Sequence, residues 1–90
     1  MGIKINIHPS LSHLTDNQAV VETNGSTIGQ CLEHLAAQFP EITQGLFGKE
    51  GELLNYVDIY VNGKSAYPKE LAKSVKDGDE LHIVLIIAGG

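Results

Sequence analysis

The segment that most limits how this chain can fold is its last apolar run, Glu80-Leu81-His82-Ile83-Val84-Leu85-Ile86-Ile87, followed at once by Ala88-Gly89-Gly90. Strand alternation puts Leu81, Ile83, Leu85 and Ile87 on one face and His82, Val84, Ile86 and Ala88 on the other. The first set needs a cover. The terminal pair needs room, because residues without side chains let an extended tail enter a narrow channel and let another backbone approach closely. The reactive group this ending points to is the main-chain carboxylate of Gly90, with Gly89 beside it. The alternative is a solvated, frayed end.

Ninety residues make one domain, 1–90, that buries roughly 60 to 65% of its unfolded surface. One layer of helix on sheet suits that size, with little room for a deep pocket. The 42% hydrophobic and 19% charged content reads as globular, and no apolar run is long enough to span a membrane. Met1-Gly2-Ile3-Lys4 leads straight into an alternating strand, without a secretory signal's apolar core, and Cys31 is the single cysteine. Both features imply a cytoplasmic location. Six lysines, no arginine and eleven acidic residues give a formal net charge of -5. Nucleic acid is excluded as a partner, because its affinity rests on clustered cations. The charge either speeds encounter with a basic partner or only keeps a small protein soluble.

Ile3, Ile5 and Ile7 alternate with Lys4, Asn6 and His8 up to Pro9, which predicts a half-buried strand. A second strand is expected over residues 18–22. Thr27, with Gln30 three residues on, resembles a capping box opening a helix. Ile28, Leu32, Leu35 and Phe39 share one face of it, and Pro40 stops it. Residues 41–55 read as a loop with one short turn near Leu46-Phe47. Residues 56–61 form a third strand with Val57, Ile59 and Val61 on one face, closed by the Asn62-Gly63 hairpin turn. Leu71 and Val75 form one face of a short helix, and the last strand follows the Asp77-Gly78-Asp79 turn. This order predicts an α+β domain with one main helix packed across one face of a mixed sheet.

The order of elements resembles the β-grasp, or ubiquitin-like, fold. The stretch Leu81-His82-Ile83-Val84-Leu85 with Gly89-Gly90 is similar to the last strand and tail of ubiquitin. Ubiquitin carries arginines where this chain has Ile86 and Ala88, which argues against recognition by a eukaryotic conjugation machinery. A closer overall resemblance is to the MoaD/ThiS family of sulfur carriers. It rests on Thr27-Ile28-Gly29, Val57-Asp58-Ile59-Tyr60-Val61-Asn62-Gly63, Lys76-Asp77-Gly78-Asp79-Glu80 and Ile87-Ala88-Gly89-Gly90, and it covers essentially the whole chain.

The resemblance implies a carrier and not an enzyme, binding no cofactor of its own. A partner adenylating enzyme would use ATP to activate Gly90, and a sulfur donor would convert it to a thiocarboxylate. The sulfur would then pass to an acceptor enzyme, such as a molybdopterin synthase large subunit or a cysteine-synthase-like enzyme. Products in this class include molybdopterin, thiamin, cysteine and homocysteine. The alternatives are a protein modifier joined through Gly90 to target lysines, and a β-grasp binding module with an idle tail.

Alternation also suggests where partners dock. His82, Val84, Ile86 and Ala88, with Tyr60 and Asp58, belong to the face the helix leaves open. This apolar patch either receives a partner, packs under residues 41–55 or forms a homodimer. Asp77, Asp79 and Glu80 either pair with a basic partner or solvate a turn. Gly63-Lys64-Ser65 ends like a phosphate-binding loop, but Asp58 stands where that motif needs glycine, so a hairpin is the reading. Cys31 reads as a half-buried packing thiol on the helix edge. His8, His13, His34 and His82 lack ligand spacing, so no metal site is expected.

Overall fold

The computed structural model describes residues 2–86. The chain runs β1 (Ile3–Asn6), a 3-10 turn (Pro9–Thr15), β2 (Val20–Thr23), α1 (Ile28–Gln38), a second 3-10 turn (Pro40–Ile42) and α2 (Thr43–Leu46). It continues with β3 (Val57–Val61), β4 (Lys64–Ser65), a third 3-10 turn (Glu70–Ala72) and β5 (Glu80–Leu85). The strands make one mixed sheet in the order β2-β1-β5-β3-β4. β1 runs parallel to β5, and the other neighbours are antiparallel. This is the β-grasp arrangement, with α1 laid across one face.

Register explains the core. Thr23 lies opposite Ile3, Val21 opposite Ile5, Ile5 beside Leu81, and Leu81 opposite Val61. Ile59 faces Ile83 and Val57 faces Leu85. Most of these side chains are buried, together with Ile28, Cys31, Leu32 and Leu35 from α1. The helix starts where its cap dictates: Thr27 Oγ1 accepts the Gln30 N–H at 3.2 Å, and Gln30 Oε1 accepts the Ser26 N–H at 2.6 Å. The reciprocal bond therefore reaches one residue before the cap, and two otherwise orphaned donors are satisfied.

Several expectations shift. β2 spans 20–23, not 18–22, because Thr15 and Gln18 are tied into the preceding turn, where Thr15 Oγ1 donates to the Ser12 and Gln18 carbonyls. Pro9, expected only to end β1, also opens a 3-10 turn over residues 9–15 that buries Leu11 and Thr15. Residues 40–46 hold two helical turns where a loop with one short turn near Leu46-Phe47 was expected, and their Ile42 and Leu46 are completely buried. The helix expected through Leu71 and Val75 is a single 3-10 turn over 70–72. Val75 lies beyond it, its N–H bound to the Ser26 carbonyl.

The hairpin after β3 follows the Asn-Gly rule. Asn62 (φ 50°) and Gly63 (φ 89°) are both left-handed, as a two-residue turn matched to strand twist requires. Gly63-Lys64-Ser65 is thus hairpin and β4, not a phosphate loop.

Candidate functional site

β5 lies at the centre of the sheet, paired with β1 over residues 80–82 and with β3 over residues 81–85, so its far end is carried by β3 alone. The bond from the Ile86 N–H to the Tyr56 carbonyl, 2.7 Å, continues the ladder one step past the strand. Ile87, Ala88, Gly89 and Gly90 lie outside the described residues.

Beside this exit the sheet face opposite α1 carries the expected side chains. Tyr60 and His82 are cross-strand partners, and Val84 lies opposite Asp58. Tyr60, His82 and Val84 are half-buried, while Ile86 is 53% exposed. The structure therefore brings Tyr60, His82, Val84 and Ile86 onto one surface. Tyr56 joins it at 46% exposure through its backbone contact with Ile86. Sequence reasoning did not single out Tyr56, although its even numbering with Asp58 and Tyr60 placed it on the same side.

Asp58 departs from the open-face expectation. It is only 5% exposed. Its Oδ1 accepts the Ile59 N–H at 2.8 Å and its Oδ2 accepts the Ser65 hydroxyl at 2.5 Å. The Ser65 oxygen in turn accepts the Tyr67 N–H at 3.2 Å. Glu70, 9% exposed, sits beside this carboxylate. Its burial, and then a hydrogen bond with and the charge of Asp58, raise its pKa above the ordinary value, partly offset by its own backbone N–H. Asp58 is thus buried against Ser65 and Glu70, and this corner of the face is closed to water. No motif signals Glu70, a lone acid in an irregular stretch.

Cys31 is completely buried, not half-buried. Burial pushes its thiol up, with a partial offset from a hydrogen bond with Thr23. A reactive thiol needs the opposite, exposure and an easily formed thiolate. Among the described residues no group of three or more histidines, cysteines and acids is placed to hold a metal ion. Two histidines have structural tasks. His8 Nδ1 accepts the Ser10 N–H at 3.0 Å, and His34 Nδ1 accepts the Asn24 N–H at 2.9 Å.

The acidic turn lies at the other end of β5, about 20 Å from Ile86 at the rise of an extended strand. Two of its carboxylates are occupied within the fold. Asp79 accepts the Lys76 N–H and the Asn62 side-chain amide, both at 3.0 Å, and these bonds lower its pKa. Glu80 Oε2 accepts from the Asn6 amide at 3.0 Å. No helix among the described residues is long and apolar enough to cross a membrane.

Known proteins resemble this chain in both architecture and sequence. Sulfur carrier protein CysO of Mycobacterium tuberculosis is 31% identical over 93 aligned residues, covering the whole of both chains. A chain of the crystal structure of the Amycolatopsis orientalis BexX/CysO complex superposes with a TM-score of 0.87 at 28% identity, over 98% of this chain and 99% of that one. Small archaeal modifier protein 1 of Haloferax volcanii is 31% identical over 71 residues, 78% of each chain. Residues 7–90 match the ThiS family. With a match across nearly all of the sequence and the β-grasp sheet beneath it, this chain belongs to the ThiS family of ubiquitin-like proteins.

Proposed function

We propose that this chain is a sulfur carrier whose Gly90 carboxylate is activated and converted to a thiocarboxylate by partner enzymes. The observation that carries the reading is its 31% identity to a sulfur carrier protein over the whole of both chains. A carboxylate is a poor acyl donor because its leaving group is oxide. In an adenylating enzyme the Gly90 carboxylate attacks the α-phosphorus of ATP, pyrophosphate leaves, and an acyl-adenylate forms. Sulfide then adds at the acyl carbon and AMP departs, leaving a thiocarboxylate. Its soft sulfur is a good nucleophile at the end of an arm that enters another active site. The carrier is the substrate here, and ATP is used by the partner.

The surface of Tyr60, His82, Val84 and Ile86, with Ala88 beyond it, is the docking face in this reading. It flanks the exit of the tail, and its half-buried apolar character suits a protein contact. The likeness to CysO favours a sulfur-accepting enzyme of cysteine synthesis over those of molybdopterin or thiamin. A cytoplasmic setting fits the reading.

The test is direct. The protein, ATP, an adenylating enzyme and a sulfide source should yield a species heavier by the difference between sulfur and oxygen, localised by peptide mapping to Gly90. Deletion of Gly90 should abolish it and leave the thermal midpoint unchanged. Loading that persists in the truncated protein overturns the proposal. A second reading, conjugation of Gly90 to lysines of other proteins, is favoured by the 31% identity to small archaeal modifier protein 1. It shares the adenylation step and predicts thiol-resistant adducts in place of the thiocarboxylate.

A further inference from the structure

Asn62 does more than supply a left-handed turn residue. All of its polar groups but the carbonyl reach across to the turn that starts β5. Its backbone N–H donates to the Glu80 carbonyl at 2.9 Å, its Oδ1 accepts the Glu80 N–H at 2.9 Å, and its Nδ2 donates to Asp79 Oδ1 at 3.0 Å. Asp79 Oδ2 meanwhile accepts the Lys76 N–H. The side-chain amide thus joins the hairpin turn to the 76–79 turn, with each of its two heavy atoms bound on a different residue.

The residue after Asn62 is glycine. No Cβ shields the amide nitrogen of Gly63, and Asn-Gly is the sequence in which that nitrogen has least hindrance in attacking the preceding side chain. When the Gly63 nitrogen loses its proton and bonds to Asn62 Cγ, ammonia leaves and a five-membered imide forms. Water then opens the imide to aspartate or isoaspartate. The attack needs the side-chain amide free to turn until Cγ meets that nitrogen, and the bonds to Asp79 and Glu80 restrain that rotation.

We infer that Asn62 is a deamidation site held shut by Asp79 and Glu80, so that its modification reports local opening of the junction from which β5 begins. The product is worse than neutral for the fold. An aspartate still accepts the Glu80 N–H, but it has no donor for Asp79 and sets two carboxylates against each other. Isoaspartate adds a methylene to the backbone in a two-residue turn that has no slack.

The experiment incubates the full chain in mildly alkaline buffer, folded and in urea, and follows the peptide containing Asn62 by mass spectrometry. Folded protein should deamidate many-fold more slowly than the chain in urea. Asp79→Ala, confirmed folded by circular dichroism, should speed the folded-state reaction several-fold. Asp79→Asn, which retains an oxygen acceptor, should fall between. Cys31→Ala loosens the core but not this junction and should speed it less than Asp79→Ala. Equal rates in folded and urea-treated wild type overturn the inference, as does an Asp79→Ala rate no faster than that of wild type or of Cys31→Ala. If Asp79→Ala fails to fold, the Asp79→Asn rate decides on the same terms.

Discussion

The two faces of the sheet are built from the same strands by the same alternation, yet they differ in what lies upon them. Toward α1, the rows Val21–Ile5–Leu81–Val61 and Ile59–Ile83 form a dry, interlocked layer. On the other side, the row Val20–Asn6–His82–Tyr60–Ser65 crosses the full width of the sheet and stays partly or wholly exposed. The dry face specifies the fold and tolerates little change. The wet face is under no such packing constraint. Half-buried Tyr60, His82 and Val84 therefore ask for an explanation that Ile59 and Ile83 do not.

Neighbouring residues of β5 test this contrast with the largest expected effect. Ile83→Glu puts a carboxylate into the layer beneath α1, at a cost of several kcal/mol. That is a large part of the roughly 5–13 kcal/mol available to a domain of this size, so circular dichroism should show an unfolded chain. Val84→Glu should remain folded, with a thermal midpoint lowered only modestly by the Asp58 carboxylate opposite it, and lose affinity for an adenylating enzyme in a titration. Unfolding by both variants would mean that the open face is covered in solution. Undiminished binding by folded Val84→Glu would move the docking surface off this face.

A smaller effect separates packing from chemistry within the dry layer. Cys31→Ala removes a small apolar group from the buried face of α1 and should cost about 1–2 kcal/mol in a urea titration. Conversion of Gly90 should proceed at the wild-type rate. Loss of sulfur loading in folded Cys31→Ala would transfer the sulfur from the tail to the thiol.

What the sequence made legible follows the same division. β1, β3 and β5 each turn alternate apolar residues toward α1 and so write a period of two into the chain, and α1 carries both a cap and an apolar stripe. The short turns bury one apolar residue each, Leu11, Ile42 and Leu46, and no apolar period arises from one residue. Proline misled twice, because Pro9 and Pro40 end one element and also open the next, where a missing N–H costs nothing. The His8 cap is not among the usual capping residues. For the site, alternation sufficed to group Tyr60, His82, Val84 and Ile86. It could not show that Glu70, twelve residues after Asp58, returns to cover it.

That covered corner is the exception to the open face, and pH dependence probes it with the smallest expected effect. Glu70 has its pKa raised above 4.5 by burial and by Asp58, so the folded state holds its proton more tightly than the unfolded chain does. Its contribution to stability is fully present below 4.5 and is lost as pH rises through the folded-state pKa. Asp79, in the exposed turn, has its pKa lowered below 3.8 by the Lys76 N–H and the Asn62 amide. Its contribution is present above 3.8 and is lost as pH falls through the lower, folded-state value. Thermal midpoints measured from pH 3 to pH 7 should therefore respond to the two acids with opposite sign. Glu70→Gln, which keeps a donor toward Asp58 at every pH, should remove the decline above the mid-fours and leave the acid limb in place. Asp79→Asn should soften the acid limb alone. A Glu70→Gln profile that still declines above pH 5 as wild type does would show that Glu70 ionises freely, and that the corner over Asp58 is open to water like the rest of its face.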